Sequence, residues 1–84
     1  MKNKVIVTLK DHRSGEIQDI EVDLDITAHE LFVGLNTAFG WGCSVQDNND
    51  CYLAAENPIA LLRGSTLLRD FGLRDGSIIH FKRS

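Results

Sequence analysis

The chain has 84 residues and a formal charge of −3, with nine Lys and Arg against twelve Asp and Glu. That length leaves no room for a second core, so residues 1–84 are read as a single domain. Hydrophobic residues at 43% and charged residues at 25% exclude a disordered or fibrous chain.

Val5, Val7 and Leu9 alternate with Lys4, Ile6, Thr8 and Lys10. This period of two predicts a half-buried strand over residues 4–10. The polar stretch Asp11 to Glu16, with Gly15, reads as a hairpin loop, and Ile17 to Leu24 as the return strand. Ile20, Val22 and Leu24 share one face there. Ile17 is out of phase with them, which predicts an irregular pairing near the turn. Thr27-Ala28-His29-Glu30 is a capping box, with Ile26 and Leu31 as its hydrophobic staple. Ala28, Leu31, Phe32, Leu35, Ala38 and Phe39 recur at helical spacing up to Gly40, which predicts one helix over residues 28–39. Residues 41–50 read as a loop, Cys51 to Ala55 and Ile59 to Leu62 as short strands around Glu56-Asn57-Pro58, and Ile78 to Phe81 as a last strand after the Asp75-Gly76 turn.

This order predicts an α+β domain, a mixed sheet with one helix packed across one face. The first and last strands pair in parallel, because the helix lies in the crossover between them. A mildly acidic chain lacks the field that nucleic acid would need. The longest apolar run is five residues, Cys51 to Ala55, where a membrane helix needs roughly 20. Met1-Lys2-Asn3-Lys4-Val5 passes directly into a strand pattern without a signal-peptide core, so a cytoplasmic location is expected. There, Cys43 and Cys51 are expected to stay free thiols.

The stretch Leu68-Arg69-Asp70-Phe71-Gly72-Leu73-Arg74-Asp75-Gly76, followed by an alternating strand, resembles the closing pattern of ubiquitin-like β-grasp domains. The capped helix over residues 27–40 also sits where ubiquitin's helix sits. The likeness covers residues 4–82. Within that fold the chain most resembles the YukD/EsaB family of small bacterial proteins linked to type VII (WXG-type) secretion. The matching features are a strand beginning almost at residue 1, short central strands between Tyr52 and Leu62, and an end just after the last strand. The resemblance implies a cytosolic accessory or regulator of a secretion machine that works by protein contact. Conjugation or sulfur transfer by this fold uses a tail ending in Gly-Gly. Here the sequence ends Phe81-Lys82-Arg83-Ser84, so a non-conjugated module is expected, and a modifier or sulfur carrier needing maturation is the alternative.

No enzyme is expected, because no ionisable residues cluster in the sequence. No cofactor or metal is expected either. Cys43 and Cys51 lack zinc-ligand spacing, His12, His29 and His80 are scattered, and Asp47-Asn48-Asn49-Asp50 lacks the Gly and distal Glu of a calcium loop. His29 is read as a surface or capping residue, and Trp41 as a cover for the core's edge. Strand parity turns Val5, Val7, Leu9, Ile79 and Phe81 toward the helix. It leaves Ile6, Thr8, Tyr52, Ala54, Ile78, His80 and Lys82 on the outer face, an apolar patch with a basic rim suited to a protein partner. Ubiquitin uses the same face, and His80 resembles its patch histidine. A monomer or a weak homodimer through edge strands is expected.

Overall fold

The computed structural model describes residues 3–43 and 51–83. Strand β1 (Lys4–Asp11) and β2 (Ile17–Asp23) form the hairpin, α1 (Ala28–Phe39) follows, then β3 (Cys51–Glu56), β4 (Ala60–Leu62), the single-turn α2 (Leu68–Phe71) and β5 (Ile78–Arg83). They make one five-stranded sheet in the order β2-β1-β5-β3-β4. The β1–β5 pair at its centre is parallel, and the other neighbours are antiparallel. The fold class is therefore α+β, as the pattern of elements requires.

The hairpin corrects one expectation. Its register runs unbroken from Lys4 opposite Asp23 to Lys10 opposite Ile17. Ile17 is out of phase with Ile20 only because it belongs to the other face, where it is 64% exposed. The turn is closed instead by Asp11, whose carboxylate accepts from the N–H groups of Arg13 at 2.8 Å and Ser14 at 3.3 Å. Gly15 takes a positive φ of 80°, a conformation open to glycine without a Cβ penalty.

Helix α1 begins and ends where its capping residues place it. Thr27 Oγ1 accepts from the Glu30 N–H at 3.0 Å, and the Glu30 carboxylate accepts from the Thr27 N–H at 3.0 Å. The remaining free donors of the first turn are met by tertiary partners: Ala28 N–H donates to the Thr66 carbonyl and His29 N–H to the Gly64 carbonyl, both at 3.0 Å. Gly40, at φ 63°, closes the helix in the left-handed region. Ala28, Leu31, Phe32 and Leu35 face the sheet and join Val5, Val7, Leu9, Leu53, Ile79 and Phe81 in one buried cluster. Trp41 is in that core rather than at its margin, its ring stacked on Phe81 at a centroid distance of 3.6 Å.

Two features differ from the sequence reading. Helix α2 occupies a stretch without helical periodicity. One turn is too short to show a period, and neighbours hold it: Leu68 N–H donates to the Ile26 carbonyl, Arg69 N–H to the Leu24 carbonyl, and the Arg69 guanidinium reaches Asp25 at 2.7 Å. Cys43 and Cys51, expected as free thiols, are joined in a disulfide with Cα atoms 6.5 Å apart. Asn36 explains their approach. Its side chain accepts from the Cys43 N–H and donates to the Cys43 carbonyl, both at 2.9 Å, folding the segment after α1 back toward β3. The loop reading of residues 44–50, with the Asp47 to Asp50 oxygen ligands, lies outside the described residues.

Candidate functional site

The sheet has one covered face and one open face, and strand alternation decides which residue meets which. On β1, Val5, Val7 and Leu9 are buried beneath α1, so Ile6, Thr8 and Lys10 take the opposite side. On β5, Ile79 and Phe81 are buried and Ile78, His80 and Lys82 point outward. On β3 the buried set is Cys51, Leu53 and Ala55, which leaves Tyr52, Ala54 and Glu56 outside.

Register then assembles the outward residues into rows across the sheet. Asp19, Thr8, Ile78 and Glu56 form one row. Ile17, Lys10, His80, Ala54 and Leu61 form the next. Lys82 stands opposite Tyr52 beyond them. The six candidates Thr8, Tyr52, Ala54, Ile78, His80 and Lys82 therefore occupy one block on three adjacent strands. Ile6 lies one row away and diagonal to Ile78, 45% exposed, with its N–H donating to the Asp75 carboxylate at 2.8 Å. Thr8 Oγ1 donates to Asp19 across the hairpin at 3.0 Å.

The face is wider than the sequence reading made it. Ile17 at 64% exposure and Leu61 at 45% extend its apolar surface onto β2 and β4. Parity along β2 could have identified Ile17, since Asp19 and Glu21 are outward in the same phase. The rim also differs from the basic one expected: Lys10 and Lys82 share the face with Asp19, Glu21 and Glu56. The Lys4–Glu21 contact at 4.0 Å joins two side chains about 60% exposed, a pairing of little energetic weight.

His80 is not isolated, although the three histidines are far apart in sequence. The turn after β1 sets His12 Nε2 2.7 Å from His80 Nδ1, and His80 Nε2 lies 3.1 Å from Glu56 Oε1. His29 is exposed on α1, away from this group.

Among the described residues, recesses also lie off this face. One between the start of α1 and β3–β4, lined by Ala28, Phe32, Leu53 and Leu62, has a volume of only about 20 Å³. That is room for no more than a water molecule. Another is a groove of about 340 Å³ between the β2 edge and α1, lined mainly by Ile20, Val22, Ile26, Leu31, Leu35 and Phe39. Among the described residues, no helix is long and apolar enough to cross a membrane.

No protein-family model matches the chain, and no curated protein matches it. Solved structures do. The C-terminal ubiquitin-like domain of mouse tubulin-specific chaperone e is similar over 98% of this chain and 88% of its own, with a TM-score of 0.75 at 12% identity. The UBL domain of yeast Ddi1 is similar over 100% of this chain and 95% of its own, with a TM-score of 0.68 at 24% identity. The UBL domain of Plasmodium falciparum Dsk2 is similar over 96% and 99%, with a TM-score of 0.70 at 21% identity. Strand order, the single crossing helix and these similarities agree: the chain has the ubiquitin-like β-grasp fold.

Proposed function

We propose that this domain is a protein–protein interaction module that docks its outer sheet face on a partner, with neither conjugation nor catalysis. The observation that carries this reading is the exposure of Ile6, Ile17 and Leu61 around a half-buried block centred on Ile78, on the face that α1 leaves open. Apolar side chains set among charges of both signs have the make-up of a non-obligate interface, where an apolar centre excludes water and a polar rim sets the register. The partner is accordingly a folded protein surface of mixed charge.

The context we propose is the cytoplasm, where reducing conditions open the Cys43–Cys51 disulfide and the module serves as an accessory or regulator of a type VII secretion machine, contacting that machine's cytosolic domain. Support comes from the likeness of the short central strands between Tyr52 and Leu62, joined through the polar Glu56-Asn57-Pro58 turn, to those of the YukD/EsaB family. The module works as a monomer or as a weak homodimer through its edge strands.

Ile6→Lys combined with Ile78→Lys tests the face. Each new ammonium has a carboxylate opposite, Glu21 or Glu56, so the sheet tolerates both. With the purified cytosolic domain of a type VII secretion ATPase as bait, the wild-type chain is captured. Capture of the double variant falls at least tenfold, while its circular dichroism is unchanged. Equal capture of both proteins rejects the outer face; no capture of the wild type rejects the secretion context.

A further inference from the structure

At one corner of the sheet the hairpin turn meets β5. His12 follows the last residue of β1, and its N–H donates to the Phe81 carbonyl at 3.0 Å, which carries the parallel ladder one step further. That step brings its ring beside His80, with centroids 4.9 Å apart and planes inclined by 43°. His12 Nε2 and His80 Nδ1 converge to 2.7 Å. On its far side, His80 Nε2 meets Glu56 Oε1 at 3.1 Å.

Hydrogen placement follows from the partners. An ionised carboxylate only accepts, so His80 carries its hydrogen on Nε2. In the neutral imidazole this leaves the Nδ1 lone pair directed at His12. A histidine whose second nitrogen donates to a carboxylate is the arrangement that orients a metal-ligating imidazole and raises its basicity. A divalent cation bonded to two imidazole nitrogens at about 2.0–2.1 Å holds those nitrogens roughly 3 Å apart. The observed pair opens by a few tenths of an ångström to reach a square-planar angle and by more to reach a tetrahedral one, and both rings tilt so that the nitrogens, which now face each other, converge on the ion. We propose that His12 Nε2 and His80 Nδ1 form a binding site for a late first-row divalent cation, with Cu²⁺ held more tightly than Zn²⁺ or Ni²⁺.

Glu56 is the positioning residue, and water completes the coordination shell. On binding, neutral His12 moves its hydrogen from Nε2 to the solvent-exposed Nδ1 through exchange with water, freeing the lone pair that faces His80. An imidazolium at His12 instead releases one proton to solvent. No three of the described His, Cys, Asp and Glu side chains are grouped as a metal cage, so the site is a weak and exchangeable one. Lys10 stands across from His80 and Lys82 two residues along, so the attraction lies in the nitrogen lone pairs rather than in the local field.

The test is titration of the full chain with Zn²⁺ and with Cu²⁺. Calorimetry gives affinity, and ¹H–¹⁵N spectra of the imidazole rings give the nitrogens engaged. His12 and His80 respond together, and exposed His29 serves as an internal control. His12→Ala or His80→Gln weakens binding at least tenfold, whereas His29→Ala leaves it unchanged. Glu56→Ala weakens binding severalfold and removes the preference of the His80 hydrogen for Nε2; Glu56→Gln, which keeps an acceptor, restores both in part. Undiminished affinity in folded His12→Ala or His80→Gln, or an equal response at His29, overturns the site and leaves ordinary single-imidazole coordination. The readout needs no protein partner, so it is independent of the docking test.

Discussion

Trp41 carries more of the fold than its position in the chain suggests. It follows the glycine that ends α1, yet it is 3% exposed, with its ring stacked on Phe81 at 3.6 Å and nearly parallel to Phe39 at a centroid distance of 5.7 Å. Arg13 closes the stack from the hairpin turn, donating to the Trp41 carbonyl at 2.8 Å with its guanidinium 5.7 Å from the Phe81 centroid. Trp41→Ala should therefore cost about 3–5 kcal/mol, the range for emptying a large aromatic site in a core; urea unfolding measures it. Ser77 makes a polar counterpart. It is fully buried, its hydroxyl donates to the Asn57 carbonyl at 2.6 Å, and it accepts from the Arg74 N–H at 3.1 Å. Ser77→Ala strands both backbone groups and should cost about 1–3 kcal/mol by the same measurement.

The two helices form for different reasons. Helix α1 has local instructions: a capping box, a periodic apolar stripe and a terminal glycine. Its cap is an independent increment, so Thr27→Ala should lower stability by about 1 kcal/mol without moving the helix, which unfolding curves and amide chemical shifts will show. Helix α2 has few local instructions. Its N-cap position is Leu67, which makes no side-chain cap, and its N–H groups are satisfied by carbonyls of residues 24 and 26. A sequence window cannot register such a helix, because its hydrogen-bond acceptors lie about forty residues away.

The whole molecule depends on a sheet that is covered on one side and pinned at the helix's end. The Cys43–Cys51 disulfide ties the segment after α1 to the first residue of β3, across a sequence separation of 8. A loop of that length contributes about 2–3 kcal/mol in the chain-entropy account. Reduction should lower stability by that amount, read as the difference between urea midpoints with and without reductant. Ile6→Lys with Ile78→Lys should leave that midpoint nearly unchanged, because neither side chain belongs to the buried cluster.

What the chain determined by itself was the local grammar: the alternation of β1 and β5, the ends of α1, and the side of each strand that α1 covers. These follow from spacing and capping within a dozen residues, so they were legible without a structure. Ile17 shares the outward phase of Asp19 and Glu21, and only its register opposite Lys10 shows that the ladder runs unbroken to the turn. Tertiary structure alone decided what depends on residues distant in sequence. It paired Cys43 with Cys51 through Asn36, drew one turn of helix from residues 68–71, set acidic as well as basic groups on the outer rim, and joined His12 to His80. The reason is geometric: periodicity reports which way a side chain points, while register reports what stands beside it.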